Sequence, residues 1–397
     1  MDRRSGRGES DQLGASITRF RRPLAILVGI VVAMSVVSLL PSWWCGRDAD
    51  KWLRGDPAQV RGLAEELMAF EVEDDRLRDT GSGAVIDGMW GLLTHQMTAL
   101  GLAQVCLEHP EWRERYAPIV TRAAAKSLLP EMRTVFTTAW HGEDGSAHLD
   151  SPHGHAYLAY PALALGMARL VDPAFPADLA IRHDALIASY ERRLLDSPTG
   201  LLDTYPGEAY PTDVAAVAAA IAVHGRATGV DHTAVLSHWA QQVRAKQIDR
   251  DTGLILQRMD VDGHALDAPR ASGTGLAAYF AGFADRALAE ELATGLFRQQ
   301  RSFLGFSAIR EYGDGYHGAG DLDSGPLILG ISVAATGFAL APARSLGHHD
   351  MFTRLYRTAD LTGLPLWSGT RLRFATGGTV GNALLLAFLT SGPELAR

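Results

Sequence analysis

Cysteine is almost absent: the 397 residues contain only Cys45 and Cys106. Two thiols cannot build a disulfide framework, and Cys106 lies in the helix-patterned run TALGLAQVCLEH, where a buried thiol is expected. A basic excess is also missing. With 37 Lys and Arg against 45 Asp and Glu, the net charge is −8, which leaves no electrostatic footprint for nucleic acid. No P-loop, dinucleotide fingerprint or Gly-x-Ser-x-Gly elbow stands in a supporting context. Sustained strand alternation is lacking too, whereas Ala-, Leu- and Gly-rich runs of helical length recur.

Charge is also missing from Pro23 to Pro41, PLAILVGIVVAMSVVSLLP, a run long enough to cross a hydrocarbon core of about 30 Å as one helix. Six arginines precede it (Arg3, Arg4, Arg7, Arg19, Arg21 and Arg22), and Trp43 and Trp44 follow. The positive-inside rule then places the N-terminus in the cytoplasm and the rest outside. A cleaved signal peptide is the rival reading, but no small-x-small site follows the apolar run. The expected organisation is a basic tail (1–22), a transmembrane signal anchor (23–44), a juxtamembrane helix and linker (45–80) and a helical domain (81–397), with the helix near Pro57 to Val72.

Glycine turn phrases repeat through the domain: EDGSAHL near Gly145, SPTGLLD near Gly200, RDTGLIL near Gly253, SFLGFSAI near Gly305 and DLTGLPL near Gly363. Each is followed by a polar stretch and then an apolar helix of small residues, such as VAAVAAAIAVHG or GNALLLAFL. An earlier member, DTGSGAVIDGMWGLLTHQMTALGLAQVCL, has the loop and helix without the clean turn, bringing the count to six. Units of this length bury their apolar faces only by stacking, and closing the stack removes its open ends. The expected fold is therefore all-α, an (α/α)6 toroid with inner helices beginning near Ile86, His155, Asp213, Thr274, Pro326 and Gly381. An open α-solenoid is the alternative.

In such a ring the six loops reach one rim. They bring Asp87, Trp90 and His95; His153 and His155; Asp203, Tyr205, Glu208, Tyr210 and Asp213; Arg270 and Thr274; Tyr316, His317, Asp321 and Asp323; and Arg371 and Arg373. Carboxylates and imidazoles among aromatics suit acid/base work. For the aspartates the plain alternative is helix capping. For His95, inside an apolar helix, it is a wall position. His153 and His155 have an i, i+2 spacing without a third ligand nearby, so no metal is expected, and no cofactor either. The stretch DVDGHALDAP reads as a polar hairpin, since it lacks the closing Glu and spacing of a calcium loop.

The phrases HGHAYLAYPALALGMARLV and TGLLDTYPGEAYPTDVAAVAAAIAVHGRATGVDH, then IDRDTGLI, DLDSGPLILGISVAATGFALAPARSLG and LWSGTRLRFATGGTVGNALLLAFL, distantly resemble the linalool dehydratase/isomerase family in their order. The resemblance covers most of the chain after His153. It implies an (α/α)6 toroid and a lyase or isomerase, with His155 at the position of a family histidine. The family's two active-site cysteines match Asp203 and either Thr212 or Asp213, and its aspartate-bearing fifth loop matches Asp321 and Asp323. Carboxylates in place of thiols keep proton transfer but change its pKa range.

The expected activity is thus the making or breaking of a C–O bond by a membrane-anchored enzyme outside the cytoplasm. His155, Asp203, Asp213, Asp321 and Asp323 would be catalytic, with Asp203 and Asp213 as the exchange pair. Asp87, Trp90, Tyr205, Glu208, Tyr210, Arg270, Tyr316, His317 and Arg373 would bind substrate. A glycoside hydrolase with two carboxylates is the second possibility. A glycan- or peptide-binding protein is the third. The expected partners are a small alcohol or saccharide, and the bilayer through the N-terminal helix.

Overall fold

The computed structural model describes residues 8–73, 84–151, 153–320 and 324–392, with side chains from residue 27 onward except at 73 and 84–87. The side chain of Asp87 and all of Asp321 and Asp323 therefore lie outside the described residues. The chain is mostly helical. α1 (Gly8–Gly46) is followed by α2 (Ala49–Leu53), α3 (Pro57–Glu73), α4 (Ala84–Glu108), α5 (Arg113–Ser127), α6 (Thr134–Ala139), α7 (Ala159–Val171) and α8 (Ala177–Asp196). Then come α9 (Pro211–Thr228), α10 (Thr233–Gln242), α11 (Ala271–Ala284), α12 (Arg286–Arg298), α13 (Val333–Phe338), α14 (Leu340–Ser345), α15 (His349–Gly363) and α16 (Gly378–Leu389).

Helix contacts follow a circuit: α7 packs on α4 and α9, α9 on α11, α11 on α13 and α14, these on α16, and α16 back on α4. Sequence pattern explains which helices join it. α9 is buried on every side from Val214 to Ile221, and α11 is nearly so from Ala271 to Phe283, as expected of helices surrounded by others. α8 instead buries Leu179, His183, Leu186, Ile187, Tyr190 and Leu194, one face at helical spacing, and packs outside against α7 and α9. Small residues let the helices of the circuit approach closely: a Cβ at Gly101 would come within 2.8 Å of Leu386, and one at Gly166 within 2.9 Å of Val223. Each fully buried Leu or Phe in this core contributes about 1.5–3 kcal/mol.

The fifth element of this circuit departs from expectation. The helix expected near Pro326 begins at Val333, because Ile328 and Ile331 pair across a Leu329-Gly330 turn and Ile331–Ser332 joins a sheet. It then breaks between α13 and α14: Pro342 lacks the amide that would bond to the carbonyl of Phe338. The other helices of the circuit begin close to their expected positions, at Ala84, Ala159, Pro211, Ala271 and Gly378, with a 3₁₀ turn, Ala156–Leu158, leading into α7.

The loops also carry short strands that the sequence did not announce. These are β1 (Asp203–Tyr205) with β2 (Glu208–Ala209), β3 (Gln300–Phe303) with β4 (Phe306–Arg310) and β5 (Ile331–Ser332), and β6 (Pro365–Ser368) with β7 (Arg371–Phe374), all antiparallel.

α1 is long and apolar enough to cross a membrane, and only 6% of its most apolar window is buried. Its C-terminal end joins the domain directly. Ser42 and Cys45 are buried, Trp52 donates from Nε1 to the Tyr356 hydroxyl at 3.1 Å, and a Cβ at Gly46 would meet the Arg357 side chain at 2.6 Å. The Cys45 thiol meets the Asp360 carboxyl.

Candidate active site

The second and third loops build the densest chemical cluster. Its floor is aromatic. Phe136 stacks on Tyr157 at 4.3 Å between centroids and on Tyr205 at 5.5 Å, and Tyr210 meets Tyr205 edge-on at 6.0 Å. Trp140, at the end of α6, donates from Nε1 to the Thr204 carbonyl at 2.9 Å and so ties the second loop to β1. Its ring lies 4.6 Å from His153 and 4.7 Å from His155.

His155 is fully buried in a left-handed backbone conformation, φ 45°, immediately before the turn into α7. Its carbonyl accepts from Tyr190 at 2.9 Å, and its Nε2 meets Glu143 Oε1 at 2.8 Å. Glu143 also accepts from Ser151 at 3.0 Å. The hydrogen bond with His155 holds Glu143 below the usual carboxylate range, and burial holds His155 below the usual imidazole range. With the ring proton assigned to Nε2 by that bond, Nδ1 keeps a lone pair and has no hydrogen-bond partner among the described residues. Two glycines make room here: a Cβ at Gly145 would sit 2.5 Å from the His155 ring, and one at Gly154 would sit 2.4 Å from the Asp203 amide.

Asp203 opens β1 with its pKa raised, first by burial and further by Asp260, while His153 opposes the rise. Its Oδ1 is buried without a hydrogen-bond partner among the described residues. Asp213 is held differently. Its Oδ1 accepts from the Tyr160 hydroxyl and its Oδ2 from Thr204 Oγ1 at 2.6 Å, so it fastens β1 to α7 and α9. The helix cap is Tyr210, with Pro211 opening α9, so Asp213 is a first-turn acid and not the cap. The expected exchange pair is thus held differently: Asp213 is fixed by Tyr160 and Thr204, whereas Asp203 Oδ1 has no hydrogen-bond partner among the described residues.

The remaining expected site residues divide. Glu208 accepts from Arg258 at 3.0 Å and from Tyr210 at 3.3 Å, and burial beside Glu208 pushes the Tyr210 phenol up. Arg270, at the start of α11, is bound to Asp267 at 2.7 Å and lies 5.7 Å from the Tyr312 ring centroid. Tyr316 donates to Asp249 at 3.1 Å, His317 is exposed, and Trp90 is half-buried on α4. Arg371 and Arg373 point from the exposed face of β7, while Leu372 and Phe374 turn inward. Thr274 Oγ1 donates back to the Arg270 carbonyl at 2.6 Å and accepts from the Ile255 amide at 2.9 Å, tying the preceding loop to α11. His95 is a buried wall residue paired with Glu71 at 2.7 Å, as its position in an apolar helix implied. The segment around Asp260 is a hairpin in which Asp260 accepts from the His264 amide at 2.8 Å.

Sequence reasoning missed Glu143, Tyr160, Thr204 and Arg258. Glu143 lies in the phrase EDGSAHL, whose evident message is a turn. Tyr160 lies within an apolar helix, where a phenol reads as packing. A second histidine cluster lies away from the loops: His224 meets Asp184 at 3.0 Å and His232 at 2.9 Å, with His183 buried beside them. Arg169 already neutralises Asp184 through the same carboxylate oxygen that His224 uses. Compared with protein families and with curated proteins, the chain matches none of either.

Proposed function

We propose that the chain is a membrane-anchored enzyme acting outside the cytoplasm, an (α/α)6 toroid that makes or breaks a C–O bond by acid/base catalysis at the second and third loops. The circuit of contacts from α4 round to α16 and back supports the toroid. The arginines ahead of α1 support the orientation. One observation carries the chemistry: around Trp140, burial raises Asp203 while the His155 bond lowers Glu143. A carboxyl whose pKa is raised suits a proton donor, and one whose pKa is lowered stays ionised to orient a histidine base.

In this reading Asp203 protonates the departing oxygen. His155, kept neutral by burial and oriented by Glu143, takes the proton from the neighbouring carbon or from water. Removal from carbon gives the lyase or isomerase that the family resemblance implies, and removal from water gives a hydrolase. Asp213 positions β1, and Tyr205 and Tyr210 offer the substrate an aromatic wall. The wall is the specific feature favouring the second reading, since saccharide rings stack on such faces. The test is turnover of alcohols and saccharides by the full chain in D2O. Deuterium appearing on carbon identifies a lyase or isomerase, and new reducing ends identify a hydrolase. Asp203→Asn and Glu143→Gln are expected to lower turnover by about 10²–10⁴-fold. Wild-type turnover in either variant removes that residue from the mechanism, and binding without turnover leaves the binding-protein reading.

A further inference from the structure

Away from the loops, α8 and α9 carry a second set of chemical groups that the acid/base reading does not use. His183 falls on the buried stripe of α8 with Leu179, Leu186 and Ile187, and the next residue, Asp184, turns outward with half its side chain exposed. His224 follows Asp213 on α9 by eleven positions, about 16 Å along the axis at about 1.5 Å per residue. Beyond α9 the chain turns at Gly229, φ 80°, and comes back. A Cβ at Gly225 would meet the His232 ring at 3.2 Å, so this glycine lets His232 settle against His224.

The contacts in this cluster ask for one proton too many. His224 Nε2 lies 3.0 Å from Asp184 Oδ1, and His224 Nδ1 lies 2.9 Å from His232 Nε2. His232 Nδ1 lies 3.3 Å from Glu191 Oε1, out of line for a good hydrogen bond. Each contact needs a proton between its atoms, because facing lone pairs repel. Two neutral imidazoles carry two protons, and three contacts need three. A third proton would turn the pair into an imidazolium yet would do nothing for His183. That ring is fully buried, and neither of its nitrogens has a hydrogen-bond partner among the described residues. Buried polar groups are normally partnered, so an orphaned imidazole calls for a ligand.

We propose that His183, Asp184 and His224 bind a divalent transition-metal ion of the zinc class, which clamps α8 to α9. Imidazole and carboxylate donors together suit such an ion. It removes both faults at once. The ion takes the Nε2 lone pair of His224, whose proton then sits on Nδ1 and is donated to His232 Nε2, while the His232 proton on Nδ1 faces Glu191. Two protons serve the two remaining contacts, and His183 gains a partner for a lone pair. One ligand atom from each of the three residues lies within 4.8 Å of the other two. Tetrahedral zinc, with bonds of about 2.0–2.1 Å, sets its ligand atoms about 3.3 Å apart, so the widest gap closes by at most about 1.5 Å. Asp184, half exposed, is free to close it. Arg169 and His224 share Oδ1 of Asp184, and Oδ2 has no hydrogen-bond partner among the described residues. The carboxylate thus keeps an oxygen for the ion while Arg169 fixes its orientation, as partners of ligating carboxylates do.

The test uses the full chain in detergent micelles, without a histidine tag, stripped by a chelator and titrated with Zn²⁺ or Co²⁺. One equivalent is expected to bind, with the intense visible absorption of tetrahedral cobalt, and zinc should raise the unfolding temperature. Asp184→Asn and His183→Leu should each weaken zinc binding by at least about 100-fold. Glu191→Gln, which reaches the ion only through His232 and His224, should weaken it by about 10-fold. Because Asp184 is half exposed, Asp184→Asn decides the matter if His183→Leu does not fold. Zinc binding that is unchanged in Asp184→Asn lies elsewhere on the chain and overturns the site. No saturable binding also overturns it, and nitrogen NMR showing both ring nitrogens of His224 protonated at neutral pH would then assign the third proton to the histidine pair. None of these readings depends on turnover, so the clamp stands or falls apart from the chemistry at the second and third loops.

Discussion

Replacing Asp213 separates a fastening role from a proton-transfer role. The carboxylate takes the Tyr160 hydroxyl on one oxygen and the Thr204 hydroxyl on the other, and it sits in the first turn of α9. Hydrogen bonds to a charged acceptor contribute about 1.5–3 kcal/mol each, and an acid near a helix N-terminus adds roughly 0.3–1 kcal/mol. Asp213 is only half-buried, so water recovers part of this when the side chain is truncated. Asp213→Ala is therefore expected to cost about 3 kcal/mol, towards the lower end of the sum. Asp213→Asn keeps one acceptor oxygen and offers an amide to the other hydroxyl, so about 1 kcal/mol is expected. Denaturant unfolding of the full chain in micelles, followed by circular dichroism, measures both. A double-mutant cycle of Asp213→Ala with Tyr160→Phe should return a coupling of about 1–2 kcal/mol. Equal costs for Asn and Ala, or a coupling near zero, refute the fastening described here. A fall in turnover of several orders of magnitude in folded Asp213→Asn would return this residue to the proton-transfer step.

Three further outcomes are expected. His183 is fully buried, and burial with His224 and Arg169 nearby pushes its pKa down to about 3, with only Asp184 opposing. The unfolded chain thus binds a proton below about pH 6.5 that the native state refuses, so His183 lowers stability as pH falls, by about 2 kcal/mol between pH 6.5 and 5. The slope of unfolding free energy against pH should flatten in His183→Gln, and an unchanged slope rejects the buried neutral ring. Gly145→Ala drives a methyl into the His155 ring and should cost about 1–3 kcal/mol while displacing the imidazole from Glu143; full stability in thermal unfolding would show that the ring has room. A reporter active only outside the cytoplasm, fused after Arg397, should be active, and activity of a cytoplasmic reporter at the same point would reverse the orientation.

Helix positions were legible because small-residue runs such as VAAVAAAIAVHG are apolar on every face, and only surrounded helices tolerate that. The turn glycines were legible in the same way: Gly200, Gly253 and Gly305 have positive φ. At the fifth phrase the left-handed position passes to the residue after Gly363, which is Leu364. The strands β1 to β7 were not legible, since two to five residues are too few to show a period. Of the candidate site, His155, Tyr205 and Tyr210 were singled out from residue type and loop position, and the structure brings their rings together with Trp140 and Phe136. What no pattern supplied was pairing. That Glu143 belongs to His155, twelve residues away, and Tyr160 to Asp213, fifty-three away, depends on how loops cross between units. Spacing within one unit carries no record of that crossing.

The join between α1 and the domain has a mechanical consequence. Ser42 and Cys45 are buried, Ala49 and Trp52 are fully buried, and Gly46 abuts Arg357, so no slack segment separates the apolar helix from the folded body. If α1 crosses a bilayer, the domain has no loose hinge beneath it. Any lean that α1 adopts to match the thickness of a bilayer is transmitted to the body as a lean of the same angle, and helices commonly lean by about 20°. Bilayer thickness would then act as a lever on the attitude of the whole molecule, tipping it by an amount set by lipid composition.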